Sequence, residues 1–510
     1  MIIKTSKKIF MFIIVVTILI FGLSGQSLAA KKIPKEKKFV LEWLSQPQVV
    51  DKFGKISDAI WSYAELGLQE YKSSKLLADT LKQAGFKVER GLAGMPTCFV
   101  ASYGSGKPVI AILGEFDALP MISQKGRIPK QDPLLEGAPG HGCGHNTMGT
   151  AGTAAAIAVK QALDKYRFQG TIKFFGSPAE ETLISRPYMI RAGLFNDVDA
   201  VIDNHSSSGF GTSYGKGGNA MFSTIFTFKG RTAHGASPWG GRSALDAVEI
   251  MNVATNFLRE HLFYTYRLHY VIQEGGEAPN VVPDKASVWY YIRNSDERVE
   301  EMYDKVINCA KAGALATGTE LSIRCIAAVH QRNANKAAAE LFQKNIELVG
   351  MPEWTEEEHA FARALQKELG REETGMPTEV GTLRDRARTF VGGGSSDVGD
   401  VCLIAPTATI RFPGQVPGSI GHHWSVVACN YGSTAWKGLN AGAKAMAASA
   451  IDLLTEPTEL KKLRDEFEAY AKEHPYKPFL PEDAKPPLDL NQELMKKWRP
   501  LMEKFYFEDK

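Results

Sequence analysis

The chain has 510 residues, which is too long for one simple core and predicts at least two domains. An apolar fraction of 44% and a charged fraction of 23% are ordinary for a globular protein. The net charge is +3, and Lys4, Lys7 and Lys8 at the start of the chain account for it, so the rest of the chain is neutral. The sequence has no basic stripe with interleaved aromatic residues, and nucleic acid is therefore not an expected partner.

The first 29 residues have the pattern of a signal peptide. An apolar run from Ile9 to Leu23 follows the basic head, and the small residues Ser27 and Ala29 fit a signal-peptidase site. The run is short for a bilayer span, which needs about 20 residues, so cleavage is favoured over an uncleaved membrane anchor. We therefore expect an exported protein, periplasmic or secreted, that begins near Ala30 and has no membrane contact after cleavage.

The elements that follow alternate between helices and strands. Residues 39–103 are predicted to be mostly helical, and short apolar runs at 108–113, 171–175 and 199–202 are predicted strands with a helix at 151–163 between the first two. This alternation predicts an α/β fold with a doubly wound, mostly parallel sheet.

The pattern changes between residues 217 and 330. Two segments alternate like antiparallel strands and flank a long helical pattern, which predicts an inserted, smaller α+β domain. The expected domain organisation is a signal peptide, a first catalytic part, the inserted domain, a second catalytic part and a C-terminal extension, at residues 1–29, 30–216, 217–330, 331–455 and 456–510.

Residues that can perform chemistry follow the predicted strands. Glu115 and Asp117 follow the first strand, Glu180 and Glu181 the second, and His205 the third. Because the carboxyl ends of parallel strands share one edge, these residues should converge there. The glycine-rich stretch "GHGCGHN" leads into the helix after the first strand and brings Cys143 and His145 towards the same edge.

Cys, His and Glu are ligands of borderline divalent metals. A second carboxylate beside a metal-bound one would be free to act as a general base in amide hydrolysis. Each motif alone also has a structural interpretation: an acidic helix start for Glu180 and Glu181, a polar tether for His205, and a glycine turn for Cys143. A redox role for Cys143 is less favoured because no partner cysteine is near in the sequence.

Two further histidine motifs lie later in the chain. His234 stands in a glycine-flanked turn, where it could also serve only as a cap, and His422 and His423 form a pair that could bind a metal or lie exposed in a loop.

The ordered motifs identify a family resemblance. "GEFDALP", "GHGCGHN", "PAEE", "DAVIDNHSS", "GRTAHGASPWGGRSALDA", "GGSSDVGDV" and "GHHWS" resemble the M20 metallopeptidase family, in its amidohydrolase branch that includes aminobenzoyl-glutamate hydrolase-like proteins. The resemblance covers roughly residues 40–455. It implies a catalytic domain with a two-metal site, interrupted by a lid domain that also forms a homodimer.

The resemblance also implies roles for individual residues. Two divalent ions, Mn or Zn, would be bound by Cys143, His145, Glu181, His205 and His422, with His423 as the fallback for the last. Glu180 would be the general base that takes a proton from the metal-bridging water. His234 would reach the partner subunit's active site and stabilise the oxyanion. Asn280 would contact the substrate, and Arg293 would hold a carboxylate group of the substrate in a bidentate contact.

Some positions depart from the family pattern. Glu115 stands where many relatives have a His ligand, so its contact with a metal is open, and Asn146 replaces an Asp that is frequent in the branch. Asp397 is expected only to shape its loop.

The sequence thus predicts a metal-dependent amidohydrolase for a small N-acyl amino acid such as aminobenzoyl-glutamate. A dipeptidase of the same family is the alternative, and a non-catalytic metal- or substrate-binding protein is the alternative of another class.

Overall fold

The computed structural model describes residues 33–386 and 393–507. The predicted signal peptide lies outside the described residues. Across the two described ranges, no helix combines the length and the apolar character needed to cross a membrane.

A six-stranded sheet forms the centre of the larger domain, in the order β1-β2-β4-β3-β5-β13. β4, β3, β5 and β13 are parallel to one another, while β2 pairs antiparallel with β4 and β1 with β2. The fold is therefore α/β with a mostly parallel sheet, as predicted. The strands of the chain are β1 (Lys87–Arg90), β2 (Phe99–Ser105), β3 (Val109–Gly114), β4 (Gly170–Gly176), β5 (Ala200–Ser206), β6 (Ser213–Gly217), β7 (Ala220–Lys229), β8 (Arg267–Glu274), β9 (Lys285–Asn294), β10 (Glu320–Val329), β11 (Arg332–Ala334), β12 (Arg384–Asp385) and β13 (Thr407–Phe412).

Helices cover both faces of this sheet, which explains why every residue of β3 is buried and why its sequence is a continuous apolar run. The helices are α1 (Lys35–Leu44), α2 (Pro47–Tyr63), α3 (Tyr71–Gln83), α4 (His145–Tyr166), α5 (Ser185–Arg191), α6 (Ala244–Leu258), α7 (Asp296–Thr317), α8 (Lys336–Val349), α9 (Glu356–Glu368), α10 (Val398–Cys402), α11 (Trp424–Cys429), α12 (Ser433–Thr455), α13 (Pro457–Glu473) and α14 (Gln492–Met502). The long helices α4 and α12 pack against each other in the main core, where small side chains such as Ala155 and Ala447 are fully buried.

The lid domain is a four-stranded antiparallel sheet in the order β10-β7-β9-β8, with α6 and α7 packed on it. Ser243 caps α6 by accepting a hydrogen bond from the backbone N–H of Asp246. All of these elements lie between residues 220 and 329. The domain boundaries at residues 216 and 330 stay predictions.

A small sheet of three strands, β11-β6-β12, lies beside the junction between the domains. β6 immediately precedes the lid and β11 immediately follows it, while β12 comes from the second catalytic part. This sheet therefore holds three distant parts of the chain next to the edge of β13.

The sequence interpretation was wrong for the end of the first segment. Residues 87–90 and 99–105 form the antiparallel strands β1 and β2 rather than helix. Alternating exposure in β2, which follows from its position near the sheet edge, gives a weaker apolar signal than a central strand does.

The C-terminal extension packs along the catalytic domain. Arg499 Nη2 donates to the carbonyl of Gln69 at 2.9 Å, and Arg191 donates to the carbonyls of Pro481 and Glu482 at 3.1 Å each. The tail also contributes Met502 to a small apolar cluster with Ala64 and Ala118.

Candidate metal centre

The candidate site lies at the carboxyl edge of the central sheet. Glu115 follows β3, Glu180 and Glu181 follow β4, and His205 is the penultimate residue of β5. Since these three strands are adjacent and parallel, their ends bring the side chains together. Cys143 and His145 reach the same edge because α4 begins at His145.

The loop before α4 can approach the sheet only because it contains glycine. Gly144 has a φ of 100°, and a Cβ at this position would lie 2.8 Å from Cβ of Ser206. The other conspicuous residues of this loop have structural contacts: Nε2 of His141 lies 3.1 Å from the carbonyl of Ile60, and Asn146 donates to the carbonyl of Asn430 at 2.8 Å. The glycines therefore serve to place Cys143 and His145.

The backbone before Glu180 is held in an uncommon conformation. Ala179 has a φ of 55°, in the left-handed region that an alanine adopts at a cost of about 1 kcal/mol or more. Its N–H donates to Oε1 of the buried Glu70 at 2.7 Å, and Glu70 also accepts from Thr97 Oγ1 at 2.9 Å. Glu70 thus positions the turn from which Glu180 and Glu181 project.

Two groups of side chains have ligand atoms close enough to share an ion. Cys143, Glu181 and His422 form one group, and Glu115, His145 and Glu180 form the other, with the ligand atoms of each group within 4.8 Å of one another. His205 adjoins the first group, because its Nε2 lies 3.4 Å from Sγ of Cys143. His145 Nε2 and Glu181 Oε1 lie 3.9 Å apart and connect the two groups.

The pKa values of these side chains are strongly shifted in the metal-free protein, as expected for buried acidic groups without a cation beside them. Burial and then the charge of Glu115 raise the pKa of Glu180 well above its usual value, and burial raises the pKa of Glu181 to about 8. Burial also raises the pKa of the Cys143 thiol to about 12. Burial and then the positive charges of Arg411 and Arg332 hold the pKa of His205 well below its usual value, so its imidazole is neutral and can act as a ligand.

Unsatisfied buried atoms support a metal at this position. Nε2 of His145 and Oε1 of Glu181 are buried and have no hydrogen-bond partner. A buried polar atom without a partner is costly, and a cation between the two would satisfy both. Sulfur, imidazole and carboxylate ligands together fit a borderline divalent metal, so the residues present fit the divalent ions that the family resemblance implies.

Asp117 and Arg186 support the ligands from outside. Nδ1 of His145 lies 2.8 Å from Oδ1 of Asp117, so the Nδ1–H donates to this carboxylate and the Nε2 lone pair is directed to the site. Asp117 Oδ2 also accepts from the backbone N–H of Glu181 at 2.9 Å. Arg186, fully buried, donates to Oε1 of Glu115 at 2.7 Å and pairs with Asp397.

The structure separates the two late histidines. His422, with a φ of 57°, directs Nε2 to within 3.3 Å of Oε2 of Glu181. His423 turns away and caps α11, where its Nδ1 accepts from the backbone N–H of Ser425 at 3.4 Å. The geometry thus places His422, and not His423, among the candidate ligands.

The predicted substrate residues fall into two places. Arg293 lines the cavity beside the ligands, whereas His234 and Asn280 are exposed on lid loops and are not among the residues that line it. These two loops are paired, since Gly235 N–H donates to the carbonyl of Asn280 at 2.7 Å.

The cavity has a volume of about 340 Å³ and contains arginines that the motifs did not identify. Besides Arg293 it is lined by Arg332, Arg386 and Arg411. None of them lies in a recognisable motif, and only the pairing of β11, β12 and β13 with their neighbours brings them together. Asp397 also has a larger role than the loop shaping expected for it, because it is the buried partner of Arg186.

The chain is similar to known proteins over most of its length. The model of peptidase family M20/M25/M40 matches residues 111–410. A p-aminobenzoyl-glutamate hydrolase subunit of Escherichia coli (strain K12) is 37% identical over 457 residues, covering 84% of this chain and 95% of that protein. The Xaa-Arg dipeptidase of Mus musculus is 26% identical and covers 84% of this chain and 91% of that protein.

A solved structure supports the fold. A dinuclear metal-binding peptidase of the M20 family from Bacillus subtilis superposes with a TM-score of 0.50 at 18% identity, covering 80% of this chain and 99% of that chain. The catalytic domain with an inserted lid is thus an architecture shared with this structure.

Proposed function

The chain belongs to peptidase family M20, and from this premise we propose that it hydrolyses the amide bond of a small N-acyl amino acid, with aminobenzoyl-glutamate as the reference substrate. The observation that carries the proposal is the position of Glu180, a buried carboxyl group that belongs to one of the two groups of potential ligands and lies at the wall of a cavity of about 340 Å³ together with the other group. The relative of 37% identity, whose name contains this substrate, supports the same choice.

The proposed ligands of two divalent ions, Zn or Mn, are Cys143, His145, Glu181, His205 and His422. Glu115 is added to the residues in contact with the centre, because its Oε2 lies 3.3 Å from Nε2 of His145. Bound ions would supply positive charge that polarises the amide carbonyl. The same charge would lower the pKa of water, so that water can lose a proton and attack the carbonyl carbon.

Glu180 is the proposed general base. It would accept a proton from the attacking water and deliver it to the amide nitrogen, so that the amine leaves as a neutral group. In the metal-free site burial raises the pKa of Glu180, and the positive charge of bound ions would lower it again, which leaves a carboxylate that can accept the proton. Arg293 would hold the substrate carboxylate in a bidentate contact.

A dipeptidase activity is the second candidate. The Xaa-Arg dipeptidase of 26% identity, which the chain covers over 91% of its length, favours it. Both reactions break an amide beside a carboxylate, so the same residues would serve.

A panel of substrates tests the proposal. Metal-loaded protein is incubated with aminobenzoyl-glutamate, other N-acyl amino acids and dipeptides, and products are identified by mass spectrometry. Release of aminobenzoate supports the amidohydrolase, and cleavage of dipeptides alone supports the second candidate. No product from any substrate, with two ions bound per chain, would favour a non-catalytic binding protein instead.

The surface of the lid supports a homodimer. β8 is an edge strand of the lid sheet with exposed Val271, and the adjacent helix α6 exposes Val253 and Phe257, the last at 76%. His234 lies exposed on the same domain. We propose that two copies pair through this face and that His234 completes the active site of the partner subunit, where it stabilises the oxyanion.

Co-expression of two inactive variants tests this arrangement. His234→Ala and Glu180→Gln subunits each lack one group, but a mixed dimer has one site with both groups intact. With random pairing, roughly a quarter of the normal activity should return. Full activity of His234→Ala alone, or no recovery in purified mixed dimers, would contradict the shared site.

We also propose that the protein is exported after cleavage beside Ala29. Expressed with its first 29 residues, it should be recovered outside the cytoplasm with an intact mass that begins at Ala30, and Ala29→Arg should block this processing. Full-length protein retained in the membrane fraction would rule the cleavage out.

A further inference from the structure

Three arginines of the catalytic domain line the same cavity as the candidate metal ligands and Arg293. Arg332 lies on β11, Arg386 directly follows β12, and Arg411 lies on β13 in register with His205 of β5. Arg332 and Arg411 are thus attached to strands, which fix their positions better than loops do.

The small three-stranded sheet makes room for this cluster. Gly217 of β6 pairs with Arg332, and a Cβ at Gly217 would lie 3.1 Å from Nε of Arg386. A larger residue at position 217 would therefore displace the Arg386 guanidinium.

Within the described protein, Arg332 has an acidic partner, whereas Arg411 has none. Nη1 of Arg332 lies 3.7 Å from Oδ2 of Asp203, and its Nη2 donates to Ser396 Oγ at 2.8 Å. Among the described residues, none accepts a hydrogen bond from the Arg411 guanidinium or forms an ion pair with it.

Arg293, which lines the cavity from the lid, also lacks an anionic partner among the described residues. Its Nε is buried without a hydrogen-bond partner, and its guanidinium lies 5.1 Å from the ring centre of Tyr291. One carboxylate can pair with one or two guanidinium groups in bidentate geometry. Arg293 on the lid strand β9 and Arg411 on β13 both lack an acidic partner among the described residues, so two separate carboxylates match them better than one.

Building on the proposed function, we propose that Arg332, Arg386 and Arg411 form a subsite for a second carboxylate, so that the preferred substrate releases a dicarboxylic amino acid. Arg293 takes the α-carboxylate and the cluster takes that of the side chain. A cationic side chain, as in a substrate ending in arginine, meets like charge and is disfavoured.

Matched substrates test this assignment. Aminobenzoyl-glutamate and aminobenzoyl-glutamine have nearly the same shape, but only the first has a negatively charged side chain. The side chain of aminobenzoyl-arginine is positively charged. The parent protein should prefer the glutamate substrate over the glutamine substrate by about 10- to 100-fold in kcat/KM, and should cleave the arginine substrate least. N-succinyl-alanine, with its second carboxylate on the acyl side, should not show this advantage over N-acetyl-alanine.

Arg411→Gln should remove most of the preference by raising KM for aminobenzoyl-glutamate while leaving aminobenzoyl-glutamine nearly unchanged. The control is Arg324→Gln, since Arg324 lies on the lid, pairs with Asp489 and is not among the residues that line the cavity. Equal turnover of the two substrates by the parent, an equal loss for both in Arg411→Gln, or an advantage for the succinyl substrate would each overturn the assignment.

Binding of the product gives a readout that needs no turnover. Calorimetry with the metal-loaded parent should detect binding of L-glutamate and weaker binding of L-glutamine. In Arg411→Gln this difference in affinity should be lost. If no substrate is cleaved but this pattern holds, the proposed function fails and the subsite stands. If the two amino acids bind equally, the subsite is wrong whatever the activity.

Discussion

Glu180→Gln should lower kcat for amide hydrolysis by about 100- to 10,000-fold, the usual contribution of a general base. The amide keeps the shape of the side chain but cannot accept the proton of the attacking water. KM should change little, since Glu180 contributes through the reaction and not through the ground-state complex. Steady-state kinetics with aminobenzoyl-glutamate measure both parameters.

Two controls separate this effect from damage to the site. Metal content and thermal stability of Glu180→Gln should match those of the parent, because glutamine keeps the shape of the side chain and all five proposed ligands of the two ions remain in place. Glu89→Gln, on the exposed strand β1, should retain full activity. A Glu180→Gln protein that keeps both ions and more than about a tenth of the parental kcat would exclude the role of general base.

Removal of metal should abolish activity, and rebinding should release roughly two to four protons per chain at pH 7. The thiol of Cys143 has a pKa of about 12 and the carboxyl group of Glu181 one of about 8 in the metal-free protein, so both are mainly protonated at that pH. Burial opposes the charge on His145, but the ionised carboxylate of Asp117 helps to raise its pKa well above the usual value, so it must lose a proton as well. Titration calorimetry in buffers of different ionisation enthalpy counts these protons.

The same pKa shifts determine how the apparent metal affinity changes with pH. Because the competing protons are bound more tightly at low pH, the apparent metal affinity should fall as the pH is lowered from 8 to 6. The variant Cys143→Ser should release fewer protons than the parent. Metal binding without proton release, or activity that survives complete chelation, would contradict the proposed ligand set.

Much of the fold followed from periodicity in the sequence. The central strands β3, β4 and β5 are short apolar runs bounded by glycine and charge, and both faces of the sheet are covered, so the pattern was strong. β1 and β2 were missed because antiparallel strands near a sheet edge mix exposed and buried residues. The antiparallel lid sheet was recognised because an alternating pattern replaced the continuous apolar runs of the central strands.

The convergence of the motif residues was also predictable, since each follows a strand of one parallel sheet. The choice between His422 and His423 was not, because it depends on a left-handed backbone at His422 and on the cap that His423 provides for α11. The roles of Arg186 and Glu70 were hidden for a related reason. Each acts through a partner distant in sequence, and no local pattern marks such a pair.

The arginine cluster shows the same limit at the cavity wall. Arg332 and Arg411 lie on strands of two different sheets and Arg386 follows β12, and an isolated arginine in the sequence is usually a solvated surface residue. Only the tertiary pairing reveals that they share one cavity with Glu180.

The most direct test of the central claim is hydrolysis of aminobenzoyl-glutamate in ¹⁸O-labelled water by the metal-loaded protein and by Glu180→Gln, followed by mass spectrometry of both products. The account predicts one labelled oxygen in the aminobenzoate, none in the glutamate, and almost no product from the variant. Unlabelled aminobenzoate, or equal labelled product from the variant, would contradict water attack assisted by Glu180.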